Sequence, residues 1–184
     1  MKLGIDPGHG MGNRKPGVYD PGAGAGGHTE AEIVLAWGLA LRDACIRAGI
    51  PVWMTRDDRT DATPLGTRDN RAAASGCTRF ISLHTNGSLL PVARGVETFY
   101  RDAGDKAWAW SVHRATVLHV ASKDRGLKLE GETKAGRLAV LGFAGPACLV
   151  ELGFISSPSD RARLLDSSVR LKWAGAIVAA LKAS

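Results

Sequence analysis

Short apolar runs alternate along the chain with longer stretches in which apolar residues recur at helical spacing. The runs are continuous rather than alternating apolar and polar positions, which is typical of strands buried on both faces of a parallel sheet. They predict strands over residues 1–6, 50–55, 79–84, 95–100, 138–141 and 147–152.

The clearest predicted helix begins after Thr29. Thr29 and Glu32 have the spacing of a capping box, in which each side chain satisfies a free backbone N–H group. Gly49 is the expected end of this helix, at about residue 48. One face of it carries Ile33, Trp37, Leu41 and Ala44. Further helices are predicted over residues 64–75, 105–122 and 159–182.

This order of strands and helices predicts an α/β fold. We expect a single three-layer αβα domain with a mostly parallel, twisted sheet and helices on both faces. A length of 184 residues favours one domain, and no internal repeat or linker divides residues 1–184. Ligands of such folds bind at the carboxyl ends of the strands, so that is where reactive side chains are sought.

Composition and charge exclude several classes of protein. The chain is 45% hydrophobic and 23% charged, as in globular domains. It has no apolar run of the roughly 18 residues that a membrane span needs, and we expect no stable membrane association. The net charge of +6 suits an anionic partner. Because the basic residues are scattered and no nucleic-acid-binding motif is present, no nucleic-acid partner is expected.

The cysteines and the first residues bear on the compartment. Cys45, Cys77 and Cys148 include no CxxC pair and predict buried thiols in a reducing compartment. The sequence starts directly with a predicted strand and shows no secretory signal. We therefore expect synthesis in a cytoplasm without a signal peptide, with secretion as the alternative if a leader has been removed.

Reactive side chains cluster at the predicted strand ends. His9 follows the first strand, His84 ends the third and Glu151 lies at the end of the last. Glu30 opens the first helix, where the preceding glycine-rich loop can swing it towards the same edge. Two histidines and one carboxylate are the ligand set of a hydrolytic zinc site with one open position. A second carboxylate nearby could act as the general base.

Each candidate also has a plainer interpretation. A single histidine is more often structural than a metal ligand, and Glu30 could simply complement a helix dipole. Glu151 is the least ordinary of the four, because a carboxylate after a buried apolar strand needs a charged or metal partner. Dispersed ligands make the spacing weak evidence by itself.

Seven segments, taken in order, resemble the zinc-dependent N-acetylmuramoyl-L-alanine amidases of the amidase type 3 family, which includes phage endolysins. The resemblance covers essentially the whole chain. The segments are IDPGHG at 5–10; Glu30 before IVLA at 33–36; TR at 55–56 with Leu65 and Arg68; FISLHTN at 80–86; GVETFY at 95–100; RGLK at 125–128, expected as a loop, before LAVL at 138–141; and CLVELGFIS at 148–156.

The resemblance implies roles for individual residues. His9, Glu30 and His84 are expected to bind one Zn²⁺ per chain. Glu151 is expected to act as general base and then general acid on zinc-bound water, so that the amide bond between N-acetylmuramic acid and L-alanine of peptidoglycan is hydrolysed. Weaker candidates for substrate binding are Asn86, Arg68 and Lys128. Asn86 and Arg68 could instead orient the site, and a turn residue and a helix-surface ion pair are the plainer alternatives.

The resemblance also implies a setting. We expect a single catalytic domain without a separate cell-wall-binding domain, acting as a phage lysis enzyme once the membrane has opened. Regulated members of the family carry an inserted inhibitory helix, for which the connection at 100–105 leaves no room. The expected enzyme is therefore a monomer that needs no activator protein. A zinc peptidase that cuts within the stem peptide, a non-catalytic wall-binding domain and a nucleic-acid module remain alternatives.

Other features stay open at this stage. The loop at 10–28 is expected either to border the substrate groove or to be a disordered excursion. Trp108 and Trp110 could stack on sugars, although at least one of them is expected in the core. A basic segment could contact wall polymer or stem-peptide carboxylates, or could simply be solvated. Its residues are Lys123, Arg125, Lys128, Lys134 and Arg137. Three further histidines, His28, His113 and His119, are not expected to bind metal.

Overall fold

A computed structural model of the chain describes residues 1–90, 92–133 and 135–183. Its strands are β1 (Leu3–Pro7), β2 (Val52–Met54), β3 (Arg79–Asn86), β4 (Val96–Tyr100), β5 (Asp124–Leu129) and β6 (Ala147–Phe154). They form one six-stranded sheet in the order β2-β1-β3-β6-β4-β5. Strands β2, β1, β3 and β6 are parallel, β4 is antiparallel to β6, and β5 is parallel to β4. The mostly parallel sheet confirms the prediction.

Helices cover both faces of the sheet unequally. They are α1 (Glu30–Arg47), α2 (Arg68–Ala74), α3 (Ala103–Val120), α4 (Pro158–Leu165) and α5 (Ser167–Lys182). Helices α1, α3 and α5 lie over the larger core, which contains the edge-to-face pair of Trp37 and Trp173. A smaller core around Phe80 lies on the other face, under α2 and a 3₁₀ turn. This arrangement confirms the predicted three layers.

The start of α1 shows how local sequence fixes an element. Thr29 Oγ1 accepts a hydrogen bond from the Glu32 N–H, and the Glu32 carboxylate accepts one from the Thr29 N–H. The predicted capping box is therefore confirmed. The chain leaves the helix at Gly49, whose φ of +74° is readily adopted by glycine. Within the described part of the chain, no helix has the length and apolar character needed to cross a membrane.

The region before β6 differs from the prediction. The prediction of a strand over 138–141 is wrong, because Ala139–Gly142 forms a 3₁₀ turn. In that turn Val140 and Leu141 are each 2% exposed and pack in the smaller core. A short apolar run can be buried in a turn as well as in a strand, and the pattern alone does not distinguish them.

Two other segments also differ. The segment expected as a loop at 125–128 belongs to β5, the edge strand of the sheet. The helix expected over 159–182 is two helices, α4 and α5. The break falls at Asp166, whose carboxylate accepts a hydrogen bond from the Ser168 N–H at 2.7 Å and so caps α5.

The loop at 10–28 has local structure of its own. Gly10–Met11 pairs with Tyr19–Asp20, and Gly24–Ala25 pairs with His28–Thr29. These two small antiparallel pairs lead directly into α1. A disordered excursion is therefore not what the chain forms here, and the loop lies beside the carboxyl ends of the strands.

Candidate metal centre

Three of the predicted side chains converge at the carboxyl end of the sheet. His9 follows β1, Glu30 is the first residue of α1, and His84 lies in β3. His9 Nε2 is 3.1 Å from Glu30 Oε2, and His84 Nδ1 is 2.9 Å from Glu30 Oε1. One donor atom from each residue lies within 4.8 Å of the others. Two imidazoles and a carboxylate at this spacing form a donor set that fits Zn²⁺.

Glu30 is held in place from both ends of its carboxylate. Its Oε2 atom accepts a hydrogen bond from the Ala23 N–H at 2.9 Å, and its Oε1 atom accepts one from the Thr85 N–H at 3.0 Å. Burial opposes ionisation, but the hydrogen bonds from His84 and His9 outweigh it and hold the pKa of Glu30 well below its usual range. The group is therefore a carboxylate, as a metal ligand must be.

Asp20 orients His9 from the side opposite the donor set. Its Oδ2 atom lies 3.1 Å from His9 Nδ1 and accepts a hydrogen bond from Asn13 Nδ2 at 2.6 Å. Burial raises the pKa of Asp20, but hydrogen bonds from Gly22, Asn13 and His9 lower it to about 2. A carboxylate on the second ring nitrogen fixes the tautomer and leaves His9 Nε2 free to bind a metal ion.

The backbone that carries His9 is unusual. His9 has a φ of 60°, in the left-handed region that non-glycine residues rarely adopt. The preceding Gly8 packs so closely that a Cβ atom there would overlap the His84 imidazole. Two buried arginines bind the carbonyl groups of this turn: Arg56 reaches Pro7 and Gly8, and Arg68 reaches His9 at 2.8 Å. These bonds hold the turn in its strained conformation.

The position of Arg68 differs from that expected of a residue in contact with substrate. Its side chain is 1% exposed and forms a 2.7 Å ion pair with Asp6, which is fully buried. The guanidinium also bonds to Asn13 and to the Thr63 carbonyl. Because its guanidinium is buried among these partners and does not line the groove, Arg68 has the position of a residue that orients the His9 turn. The helix-surface alternative is also wrong, since the pair is buried.

Glu151 lies in β6, opposite His84 of β3 and opposite Glu97 of β4. Burial raises the pKa of its carboxyl well above the ordinary value, and the nearby Glu30 and Glu97 carboxylates raise it further. Its Oε2 atom is buried and has no hydrogen-bond partner among the described residues. An orphaned oxygen beside a His–Glu–His donor set fits a group that exchanges protons with water or substrate.

A groove of about 680 Å³ connects these residues to a second group of polar side chains. Asn86 and Lys128 line it, as do all four residues of the centre. Asn86 and Lys128 both donate hydrogen bonds to the Glu97 carboxylate, Asn86 from Nδ2 at 2.7 Å and Lys128 from Nζ at 2.6 Å. Their contact with substrate stays a prediction. Arg14 of the 10–28 loop also lines the groove.

Other candidates fall outside the centre. His113 is 1% exposed and bonds to Thr98 and Asp124, whereas His28 and His119 are not part of the donor set. Trp108 is buried and donates a hydrogen bond to the Phe80 carbonyl, but Trp110 is 51% exposed on α3. Lys134 of the basic segment lies outside the described residues.

Asp20 and Glu97 were missed by the sequence analysis. The signal for Asp20 was a lone carboxylate within a glycine-rich loop, before Pro21 and Gly22. The signal for Glu97 was a charge in the middle of an apolar strand, which requires a partner. Neither signal identifies the partner, because that depends on which segments the fold brings together.

Fold and site together define a class: α/β proteins with a His–Glu–His donor set and a buried carboxylate at the carboxyl end of a mostly parallel sheet. Residues 3–183 match the family model described as N-acetylmuramoyl-L-alanine amidase. The chain belongs to this family.

Relatives and solved structures agree with this assignment. The sporulation-specific N-acetylmuramoyl-L-alanine amidase of Bacillus subtilis is 31% identical over 173 residues, which cover 91% of this chain and 62% of the relative. The catalytic domain of CwlV from Bacillus (Paenibacillus) polymyxa var. colistinus is 27% identical with a TM-score of 0.85, covering 99% of this chain and 96% of that one.

A more distant structure shares the fold. The catalytic domain of the CD27L endolysin, which targets Clostridia difficile, is 19% identical with a TM-score of 0.71, covering 100% of this chain and 98% of that one. The chain spans between 33% and 62% of the length of three curated relatives that it matches.

Proposed function

We propose that this chain is a zinc-dependent N-acetylmuramoyl-L-alanine amidase, which hydrolyses the amide bond between N-acetylmuramic acid and L-alanine in peptidoglycan. The observation that carries the proposal is the convergence of His9, Glu30 and His84 beside the orphaned carboxyl of Glu151. Membership of the amidase family supports the choice of bond and substrate.

The residues present divide the work of hydrolysis. His9, Glu30 and His84 would hold one Zn²⁺, which when bound polarises a carbonyl group and lowers the pKa of water. Glu151 takes a proton from the attacking water and then donates it to the leaving nitrogen of L-alanine. The raised pKa of its carboxyl suits a group that holds the proton between the two transfers.

The surrounding residues hold these catalytic and metal-binding groups in fixed positions. Asp20 fixes the ring of His9, and the Ala23 and Thr85 N–H groups fix the Glu30 carboxylate. Positions held this firmly reduce the reorganisation that the reaction would otherwise require. Asn86 and Lys128 lie along the groove where the stem peptide would extend.

We further propose that the enzyme acts as a monomer in phage lysis and needs no activator. Only Arg101 and Asp102 connect β4 to α3, which leaves no room there for an inhibitory helix. The fold that the chain shares with an endolysin catalytic domain is compatible with this setting. Purified protein that digests walls only after a second protein is added would contradict the absence of an activator.

The test is mass spectrometry of purified peptidoglycan after digestion, with and without a chelator. We expect free stem peptides that begin at L-alanine, and only when metal is present. The matched control is Glu151→Ala, which should bind zinc normally yet release no peptide. Fragments cut within the stem peptide would instead identify a peptidase. No soluble product from zinc-loaded protein would favour a binding domain, provided that the protein also pellets with walls and that Glu151→Ala pellets equally, and would otherwise require a different wall chemistry.

A further inference from the structure

The wall of the groove opposite the metal donors carries two cations that share one carboxylate. Arg125 Nε and Lys128 Nζ lie 3.1 Å and 2.6 Å from the same oxygen, Glu97 Oε2. Arg125 also lies 5.0 Å over the ring of Phe154, and Lys128 lies 6.0 Å over the ring of Phe99. Aromatic faces and a shared carboxylate hold both cations in position before any ligand arrives.

The charges on this wall do not balance. Burial raises the pKa of Glu97, but the hydrogen bonds from Lys128, Asn86 and Arg125 lower it below the ordinary value, so the group is charged at neutral pH. In the described part of the chain, Glu97 is the only carboxylate paired with either cation. One positive charge is thus left facing a groove that water can reach, since the side chains of Arg125 and Lys128 are 32% and 27% exposed.

Two further carboxylates follow β5 along the chain. Glu130 is bound to Arg101, with Oε1 at 2.6 Å from the Arg101 Nε atom. Glu132 lines the groove and accepts a hydrogen bond from the Leu129 N–H at 2.8 Å, but among the described residues it forms no ion pair with Arg125 or Lys128. The two cations are therefore accessible to an anionic group that enters the groove.

The sheet fixes how far this wall lies from the proposed base. Glu97 is opposite Glu151 across β4 and β6, and β5 is the next strand beyond β4. Two strand spacings amount to about 10 Å. A bound peptide extends by about 3.5 Å per residue. An anionic group on the residue after L-alanine therefore comes within reach of the long Arg125 and Lys128 side chains when the scissile amide is at Glu151.

We propose that Arg125 and Lys128 form a subsite for the free carboxylate of the stem-peptide residue that follows L-alanine. The subsite favours a carboxylate over the corresponding carboxamide, because only the carboxylate neutralises the remaining charge. Glu97 positions the two cations. This inference rests on the proposed amidase function, which supplies the substrate.

The experiment compares two substrates that differ only in this group and whose γ-carboxyl is blocked as an amide: the γ-methylamides of N-acetylmuramoyl-L-alanyl-D-glutamate and of N-acetylmuramoyl-L-alanyl-D-isoglutamine. We expect the wild-type enzyme to have a kcat/KM about 10-fold higher for the carboxylate, which corresponds to one charge-assisted contact. Lys128→Gln and Arg125→Gln should each bring the ratio of the two kcat/KM values close to one. Lys128→Arg, which keeps the charge, should retain most of the preference.

The matched control is Lys123→Gln. Lys123 is an exposed cation two residues before Arg125, and it does not line the groove. Its removal changes the net charge by the same amount, so the control should keep the wild-type ratio. A ratio near one in the wild-type enzyme, or an equal loss of preference in Lys123→Gln, would overturn the subsite.

A direct binding measurement separates this inference from the proposed function. If the wild-type enzyme cleaves neither substrate, the subsite is judged by titration with the γ-methylamides of L-alanyl-D-glutamate and L-alanyl-D-isoglutamine. The amidase proposal itself fails only if digestion of peptidoglycan also releases no stem peptide. Tighter binding of the first dipeptide, lost in Lys128→Gln and kept in Lys123→Gln, would support the subsite. Equal binding of both dipeptides to the wild-type protein would refute it.

Discussion

On the metal side of the groove the supporting charges are bound within the protein, whereas on the opposite side they are left partly unmatched. Asp6 is fully buried and accepts hydrogen bonds from Arg68, Thr55 and Ser82 at 2.6–2.7 Å. Lys128, on the other side, shares a single carboxylate with Arg125 and is 27% exposed.

The difference matches what each side has to hold. A resident metal ion needs donors that do not move, and the buried hydrogen bonds and ion pair around Asp6 and Arg68 support them. A substrate that enters and leaves needs charges that water can solvate between turnovers. The rigid donors for a metal ion and the solvated charges for a substrate therefore lie on different strands of one sheet.

The largest effect on stability is expected for Arg68→Leu, which tests the metal side of the comparison. Removal of the guanidinium leaves Asp6 buried without its charge partner, and we expect the free energy of unfolding to fall by about 3–5 kcal/mol. The measurement is urea unfolding of the metal-free protein. Arg71→Leu is the matched control, because Arg71 belongs to the same helix and is exposed. If both variants lost the same free energy of unfolding, the buried ion pair would contribute no more to stability than an exposed arginine.

A smaller effect is expected for Asp20→Asn, which keeps the shape of the side chain and removes its charge. His9 loses the carboxylate that fixes its tautomer, and zinc affinity should fall about 10–100-fold. Competition with a coloured chelator measures this. Asp43→Asn is the control, since Asp43 pairs with Arg42 on α1 and lies outside the donor set. A change below threefold in Asp20→Asn would remove Asp20 from the centre.

The smallest effect concerns the pH dependence of stability on the cationic side. The pKa of Glu97 lies below its ordinary value of 4.5, so its ion pairs stabilise the folded state fully above that pH. The contribution disappears as the pH falls through the folded-state pKa. Urea midpoints of metal-free wild type and Glu97→Gln should therefore differ at pH 7 and converge in acid. Parallel curves would contradict this.

Residues with a local signal could be predicted from the sequence. The capping box of Thr29 and Glu32 places the start of α1, and with it Glu30. Buried parallel strands that end in polar residues place His84 and Glu151 at one edge of the sheet. Each of these inferences needs only a few neighbouring residues, which is why they agree with the fold.

Residues whose partners are distant in sequence could not be predicted. Arg68 looks like a surface residue of a polar helix, and only the tertiary fold brings its side chain to Asp6, 62 positions away. Glu97 meets Lys128 only because β5 pairs with β4, 31 positions along the chain. Periodicity predicts whether a segment is a helix or a strand but not which strand lies beside it. Ion pairs between strands therefore cannot be predicted from it.

The position of β6 makes the centre depend on a strand that is made after all the others in the sheet. In the sheet β6 lies between β3 and β4, yet it follows both along the chain. While the ribosome is still making the segment before Ala147, the facing edges of β3 and β4 lack the strand that later joins them. The same strand brings Glu151. A chain that stops before Ala147 therefore lacks both the strand that joins β3 to β4 and the proposed base.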